Sequence, residues 1–239
     1  MARQLEKLGR KTIVYDDSLL NQINFDMFDP EFWSESKVVP GYSGGRGPAY
    51  YIRHENDDWV LKHYHRGGLV GRIIQDGFFW AGQDNCRSVI EFDLLAEIIG
   101  LGLPAPVPVA AQIERSGLKY SADLITQLIP DVIPLSNRLA SGSFSDEIWS
   151  NVGKCIANFH IHGFYHADLS AHNLQINTEG KIYLLDWDRG RKMVPGKWRQ
   201  KNLDRLRRSF IKISLNQDIR FSLDKWDLLL QGYFSVESS

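Results

Sequence analysis

The stretch that most constrains this chain is His166-Ala167-Asp168-Leu169-Ser170-Ala171-His172-Asn173, with Leu184-Leu185-Asp186-Trp187-Asp188 downstream. Its form is H-x-D-x-x-x-x-N, then a hydrophobic strand ending in Asp. Ile148, Val152, Ile156 and Phe159 keep helical spacing up to Gly163, and Ser145 is the expected N-cap of that helix, with Asp146 and Glu147 in its first turn. Residues 174–177 and 181–185 read as two short strands around a Glu179-Gly180 turn. The spacing therefore predicts helix, polar loop and hairpin, and it returns Asp186 to the same mouth as Asp168 and Asn173. Phosphoryl transfer from ATP needs such parts at close quarters: one carboxylate beside the acceptor hydroxyl, and an oxygen ligand and a second carboxylate on Mg²⁺. Asp168 is expected as the catalytic carboxylate, with Asn173 and Asp186 as metal ligands. A chance grouping of polar loop residues would not match in residue type, spacing and preceding helix together.

Upstream, Val38-Val39 precedes a glycine cluster, Gly41, Gly44, Gly45 and Gly47. Ala49 to Ile52, a polar Glu55-Asn56-Asp57-Asp58 turn and Trp59 to Tyr64 then read as strand, turn, strand. In a kinase-like site Gly44, Gly45 and Gly47 would let backbone amides approach phosphate oxygens, and Lys62 would hold the α- and β-phosphates. A helix over 88–99, with Ile90, Leu94, Leu95 and Ile98 as its apolar face, would orient that lysine through Glu91, or failing that Glu97. Strands are expected over 107–114 and 120–129, with 130–134 as connector and hinge. Residues 12–37 read as an irregular leading segment docked by Phe25, Met27, Phe28, Phe32 and Trp33. Phe78-Phe79-Trp80 reads as core or inter-lobe packing. The second half is mainly helical, with helices over 198–215 and 222–233. That segregation predicts an α+β protein of two lobes, 1–129 and 130–239, rather than an alternating parallel sheet.

Composition narrows the partners. The chain has 239 residues, 43% hydrophobic and 12% aromatic, which excludes disorder as the main state. The formal charge of -1 hides an asymmetry. Between Arg189 and Lys212 stand ten basic residues and one acid, Asp204. Ten cations cannot be laced by local pairs with one anion, and Trp198, Leu203, Leu206, Phe210 and Ile213 lay an apolar face beside them. An amphipathic basic helix fits an anionic membrane surface or a phosphorylated glycolipid. No nucleic acid is expected, because no nucleic-acid fold or aromatic platform accompanies the charge. Cys86 and Cys155 lie far apart without metal-ligand spacing and are expected as reduced thiols. The polar N-terminus lacks a secretory signal, and Pro104, Pro106 and Pro108 break the longest uncharged stretch. The chain is expected in the cytosol or on a membrane from the cytosolic side.

Taken together, the residues resemble the 3-deoxy-D-manno-octulosonic acid (Kdo) kinases of Gram-negative bacteria, relatives of lipopolysaccharide heptose kinases and distant relatives of protein kinases. The stretches that carry the resemblance include Gly44-Gly45-Arg46-Gly47, Arg66-Gly67-Gly68-Leu69-Val70-Gly71-Arg72, Gly102-Leu103-Pro104-Ala105-Pro106 and Tyr165-His166-Ala167-Asp168. Leu185 to Gly190 and Asn202 to Ser209 complete the set, so the likeness runs from about Val38 to Tyr233. It implies a bilobal protein-kinase-like fold with ATP between the lobes and adenine read by backbone groups near Gln127 and Ile129. It implies Mg²⁺, and transfer to the 4-hydroxyl of Kdo on a lipid A precursor, at the cytoplasmic face of the inner membrane. Arg66, Arg72, Arg205 and Arg208 become expected acceptor contacts. Departures from protein kinases are Trp187-Asp188 after the metal aspartate, which makes Asp188 a further metal or structural carboxylate, and Ser170 where a lysine often stands. No activation segment follows Asp186, which leaves little platform for a peptide. A heptose kinase, a soluble aminoglycoside- or choline-type kinase and a pseudokinase are the competing readings. The soluble kinase would not need the basic helix, and the pseudokinase would have lost the base or a metal ligand.

Overall fold

The β-branched and aromatic runs of the first half fold as one antiparallel sheet. The structure, a computed structural model, describes residues 2–33, 35–38, 49–65, 77–140, 145–217 and 221–237. Its chain divides into two units, Met1–Leu101 with Pro106–Leu128, and Gly102–Ala105 with Ile129–Ser239.

In the first unit the strands are β1 (Arg3–Leu8), β2 (Lys11–Asp16), β3 (Ser36–Val38), β4 (Ala49–His54), β5 (Asp57–His63), β6 (Phe78–Phe79), β7 (Pro108–Ser116) and β8 (Lys119–Gln127). Their order is β1-β2-β7-β8-β5-β4-β3, with β6 on β8. The helix α1 (Arg87–Gly100) packs on β7 and β8. The irregular leading segment expected from residue 12 is corrected at its start: Thr12 to Tyr15 pair with β7, and Ile13 and Val14 are fully buried. The polar β1, exposed along its whole length, hid that hairpin. Beyond it, Met27 and Phe28 do dock into the core formed by Ile52, Trp59, Leu61, Val109 and Ile125, while Phe32 stays outside. Two further expectations fail on burial. Ile90 is 42% exposed, since the buried face of α1 runs through Val89, Phe92, Leu95 and Ile98. Phe79 is 69% exposed on the short strand β6, whereas Phe78 and Trp80 are half-buried and pack against Tyr120.

The second unit holds β9 (Ile133–Pro134), α2 (Leu135–Ala140), α3 (Asp146–Ile161), β10 (Phe164–Tyr165), β11 (Leu174–Ile176), β12 (Ile182–Leu184), β13 (Arg191–Lys192), α4 (Trp198–Gln217) and α5 (Leu223–Glu237). The predicted hairpin is β11-β12, with β9 on its other edge, and β10 pairs β13. Ser145 occupies the N-cap of α3 but its side chain makes no cap bond. The residues 102–105 pack here, where Leu184 N–H donates to Pro104 O at 3.0 Å. Leu203, Leu206, Phe210 and Ile213 bury the inner face of α4, as their spacing predicts.

Two observations govern this helical core. The helices α3 and α5 cross at two glycines. A Cβ on Gly153 would lie 2.0 Å from Leu229 O, and one on Gly232 would lie 2.1 Å from Ser150 O. Beside that crossing runs a buried hydrogen-bond chain. Tyr233 Oη stands 2.9 Å from His160 Nδ1, and His160 Nε2 stands 3.1 Å from Asn202 Oδ1. Asn202 Nδ2 then donates to His166 O at 2.8 Å. The amide orientation of Asn202 makes Oδ1 the acceptor, so His160 carries its proton on Nε2 and accepts from Tyr233 through Nδ1. Burial pushes His160 down from 6.5 to about 4.

Gly153→Ala and Gly232→Ala are each expected to cost about 2–3 kcal/mol or more, because the helices must part. Helix propensity alone would instead favour alanine by about 1 kcal/mol. Urea midpoints decide between the two, and an unchanged midpoint would contradict the close crossing. His160 adds an acid-sensitive term. Its folded pKa lies below the unfolded one, so stability is complete above about pH 6.5 and falls as the pH drops toward 4. The loss attributable to this residue approaches about 3 kcal/mol. The His160→Gln variant should lose correspondingly less between pH 7.5 and 4.5. Equal losses in the two chains would assign the effect elsewhere.

Candidate active site

Each unit carries its own group of expected site residues. In the first, β5 presents Lys62 and α1 presents Glu91. Lys62 Nζ lies 3.4 Å from Glu91 Oε2. Tyr64, two residues along the same strand, donates its hydroxyl to the same carboxylate oxygen. The Lys62 ammonium also sits 4.8 Å from the centroid of the Tyr64 ring. Glu91 is buried, and a buried carboxylate needs such partners to remain charged. Glu97, the other expected carboxylate, is exposed on α1. Gly44, Gly45 and Gly47, and Arg66 and Arg72, lie outside the described residues. Gln127 ends β8 with its N–H donated to Val107 O at 2.8 Å, and Ile129 is buried.

The second unit builds the motif loop around His166. Its imidazole is buried, and desolvation lowers its pKa. Asp168 N–H donates to His166 Nδ1 at 3.2 Å, so the proton sits on Nε2, which reaches Leu185 O at 2.9 Å. One neutral ring thus ties the start of the loop to the residue before Asp186. The other end is tied as well: Leu185 N–H donates to Asn173 O at 2.9 Å. That bond extends the β11-β12 register, Leu174 opposite Leu184, by one residue and sets Asn173 beside the Asp186 segment. Asn173 Nδ2 donates to Asp168 O at 2.9 Å, which commits the amide nitrogen and turns Oδ1 away from that bond.

Asp168 is therefore held by its amide and its carbonyl. Its carboxylate is paired too, with the guanidinium of Arg205 on α4. Arg208, the other expected contact on α4, is exposed, as are Lys201 and Lys212 on the same helix. Asp186 has φ 61, in the left-handed region, which aspartate tolerates better than most residues but which still stores strain. Trp187 is buried after it, donates Nε1–H to Leu184 O at 2.9 Å, and packs against Phe159 and His166. Trp187 thus anchors the turn that presents Asp186, and Asp188 lies half-buried one residue on.

Among the described residues no three His, Cys, Asp or Glu side chains cluster as a self-sufficient metal site. Asn173 Oδ1 and the Asp186 carboxylate are hard oxygen donors, the donor type that would suit Mg²⁺. Sequence reasoning missed Asn202, His160, Tyr233 and Ser209. Ser209 Oγ accepts the Ala171 N–H at 3.2 Å. The signals for them in the sequence were His160 between the apolar Phe159 and Ile161, and the Asn202 to Ser209 stretch that carries part of the family resemblance. Both cysteines are free and buried, and desolvation pushes Cys86 to about 11 and Cys155 to about 12, so neither thiol is ionised at neutral pH.

Comparison with known proteins follows the same lines. A protein of Xylella fastidiosa (strain M12) named 3-deoxy-D-manno-octulosonic acid kinase is 38% identical over 222 residues, covering 92% of this chain and 88% of its own. Proteins of the same name from Vibrio parahaemolyticus serotype O3:K6 and Vibrio cholerae serotype O1 are 34% and 32% identical. They cover 89% and 92% of this chain, and 90% and 94% of their own lengths. A solved structure, WaaP in complex with acyl carrier protein, superposes with a TM-score of 0.62 at 15% identity, over 93% of this chain and 88% of that one. At that identity the superposition speaks for the kinase-like α+β fold alone. The lipopolysaccharide kinase (Kdo/WaaP) family matches residues 30–233, and with relatives this similar over nearly its whole length the chain belongs to that family.

Proposed function

We propose that this chain transfers the γ-phosphoryl group of ATP to the 4-hydroxyl of Kdo on a lipid A precursor, in lipopolysaccharide core biosynthesis. The observation that carries the reading is the second unit's loop, in which Asp168, Asn173 and Asp186 are fixed by bonds that all pass through His166, Leu185 and Asp168 itself. Family membership makes the chain an ATP-using kinase, and relatives of 32–38% identity bear the name of the Kdo enzyme.

Asp168 meets the acceptor hydroxyl, orients it and receives its proton as the phosphoryl group arrives. Asn173 Oδ1 and the Asp186 carboxylate would hold Mg²⁺, which would supply neutralisation of phosphate charge. Lys62, oriented by Glu91, holds the α- and β-phosphates, and Gly44, Gly45 and Gly47 offer amides to phosphate oxygens. Adenine is read near Gln127 and Ile129. With Gln127 N–H donated to Val107 O, the donor toward the base falls to Ile129. Arg66, Arg72 and Arg208 are acceptor contacts.

The basic helix supports placement on the anionic cytoplasmic surface of the inner membrane. Lys201, Arg208 and Lys212 are exposed and share one face of α4 at steps of seven and four residues. No helix among the described residues is long and apolar enough to cross a membrane. The association is thus peripheral, electrostatic, and matched to an acceptor that carries a carboxylate and phosphates.

The assay is labelled ATP with Mg²⁺ and a panel of free Kdo, Kdo-linked lipid A precursor and heptosylated core. Label on the Kdo-linked precursor is expected, and label only on heptosylated core would replace this reading by heptose phosphorylation. Asp168→Asn should abolish transfer and leave ATP affinity near the parental value, whereas Asp186→Asn should weaken Mg²⁺-ATP binding as well as turnover. Unchanged Mg²⁺ dependence in Asp186→Asn would remove the metal assignment. Replacing Lys201, Arg208 and Lys212 together by alanine should weaken binding to anionic vesicles by tens-fold. Each surface cation contributes about 1 kcal/mol near such a leaflet. The defect should shrink as salt rises, since screening removes the same attraction. Vesicle binding equal to the parent at low salt would make this face merely solvated.

A further inference from the structure

A carboxylate that must meet a hydroxyl at a set angle needs a group to hold it. Protein kinases often place a lysine two residues after the aspartate, and this chain has Ser170 there, which brings no positive charge. The cation arrives from another element. Arg205 of α4, 37 residues further along the chain, donates through Nη2 to Asp168 Oδ1.

That contact is one of three. Asn202, one turn earlier, donates to His166 O at 2.8 Å, and Ser209, one turn later, accepts from Ala171 N–H at 3.2 Å. Positions 202, 205 and 209 share a helix face, and their partners 166, 168 and 171 follow one another along the loop in the same order. At about 1.5 Å rise per residue, α4 thus lies along roughly 10 Å of the loop. The register of this contact is fixed from behind. Asn202 is buried and held at its other end by His160, and the apolar residues Leu206 and Phe210 bury the helix against the core.

We propose that Arg205 is a positioning residue for phosphoryl transfer: α4 splints the catalytic loop, and the Arg205 guanidinium holds the Asp168 carboxylate at the angle from which it meets the acceptor. The proposal rests on Asp168 being the acceptor-side carboxylate. The planar guanidinium fixes direction as well as charge, which an ammonium does only in part. Arg205 acts through Asp168, so its role differs from that of the exposed Arg208 on the same helix. The sequence placed Arg205 among acceptor contacts; the ion pair moves it to the catalytic carboxylate.

The test measures kcat and both KM values of the full chain with ATP and Kdo-linked lipid A precursor. Arg205→Ala is expected to lower kcat about 100-fold, in keeping with a misplaced catalytic group. Both KM values should stay within about 3-fold, and the melting temperature near the parental one, since the side chain is half exposed. Methylguanidinium should raise kcat of Arg205→Ala several-fold and leave the parent unchanged, because it refills the site of the lost guanidinium. Arg205→Lys should fall between the two. A kcat within about 3-fold of the parent, a loss confined to acceptor KM, or a kcat loss that methylguanidinium does not lift would each overturn the proposal. If Arg205→Ala melts more than about 10 °C below the parent, Arg205→Lys at parental stability decides: reduced kcat supports the role and parental kcat overturns it. A parent chain that labels no acceptor in the panel would instead fail the kinase reading, before any variant is compared.

Discussion

The neutral imidazole of His166 is the contact on which the second unit's site depends. A ring that accepts Asp168 N–H on one side and donates to Leu185 O on the other can do both only while it carries a single proton. Burial enforces that state by making the charged form costly. The consequence is geometric. The two segments that bear the carboxylates Asp168 and Asp186 are tied through one rigid ring, and Asn173 is tied to both, through Leu185 N–H and Asp168 O. Neither an amide nor an ammonium side chain could replace the ring without losing a bond or changing its reach.

How much of this the residues announced depends on how local the determinants are. The loop and hairpin were legible because their partners lie within a few residues: Asn173 bonds Asp168, and β11 pairs β12 across a short turn. The Lys62–Glu91 pair was legible for a different reason, since a strand lysine followed by a helix carboxylate has few alternatives. The hairpin β1-β2 was not legible. Its outer strand is exposed throughout, with only Leu5 and Leu8 apolar, and its inner strand shows only the short run Thr12 to Tyr15, so periodicity had little to grip until β7 supplied the partner. Ile90 failed for the opposite reason: the helical spacing was right, but the buried arc is centred a position away, on Val89 and Phe92. Gly153 and Gly232 looked like ordinary helix residues, because close approach between two helices leaves no trace in either one alone.

The basic helix shows the limit most clearly. Its charge and its apolar stripe were both visible, and both describe it as a helix that lies on something. What charge counting misses is that the partners of its cations need not be anions of the same segment. Arg205 pairs with Asp168, and Arg199 donates to His160 O at 2.8 Å. Between the apolar stripe and the exposed cations runs a third, polar line through Asn202, Arg205 and Ser209, which faces the loop. Three faces on one helix exceed what a two-sided hydrophobic pattern can encode.

That third face goes with the short connection after Asp186. In a kinase that binds peptides, the chain beyond the metal-binding residue forms a long segment on which the peptide lies. Here Trp187 folds straight back under the turn, β13 pairs with β10, and α4 begins at Trp198. The helix then occupies the flank of the catalytic loop with its polar line inward and Lys201, Arg208 and Lys212 outward. One element thus pairs with the Asp168 carboxylate and shows positive charge on the adjacent face. For the proposed acceptor, a sugar carrying a carboxylate and linked to phosphates, such a wall would do two things at once. It would attract those anions at long range, while the Arg205 pair fixes the Asp168 carboxylate at short range.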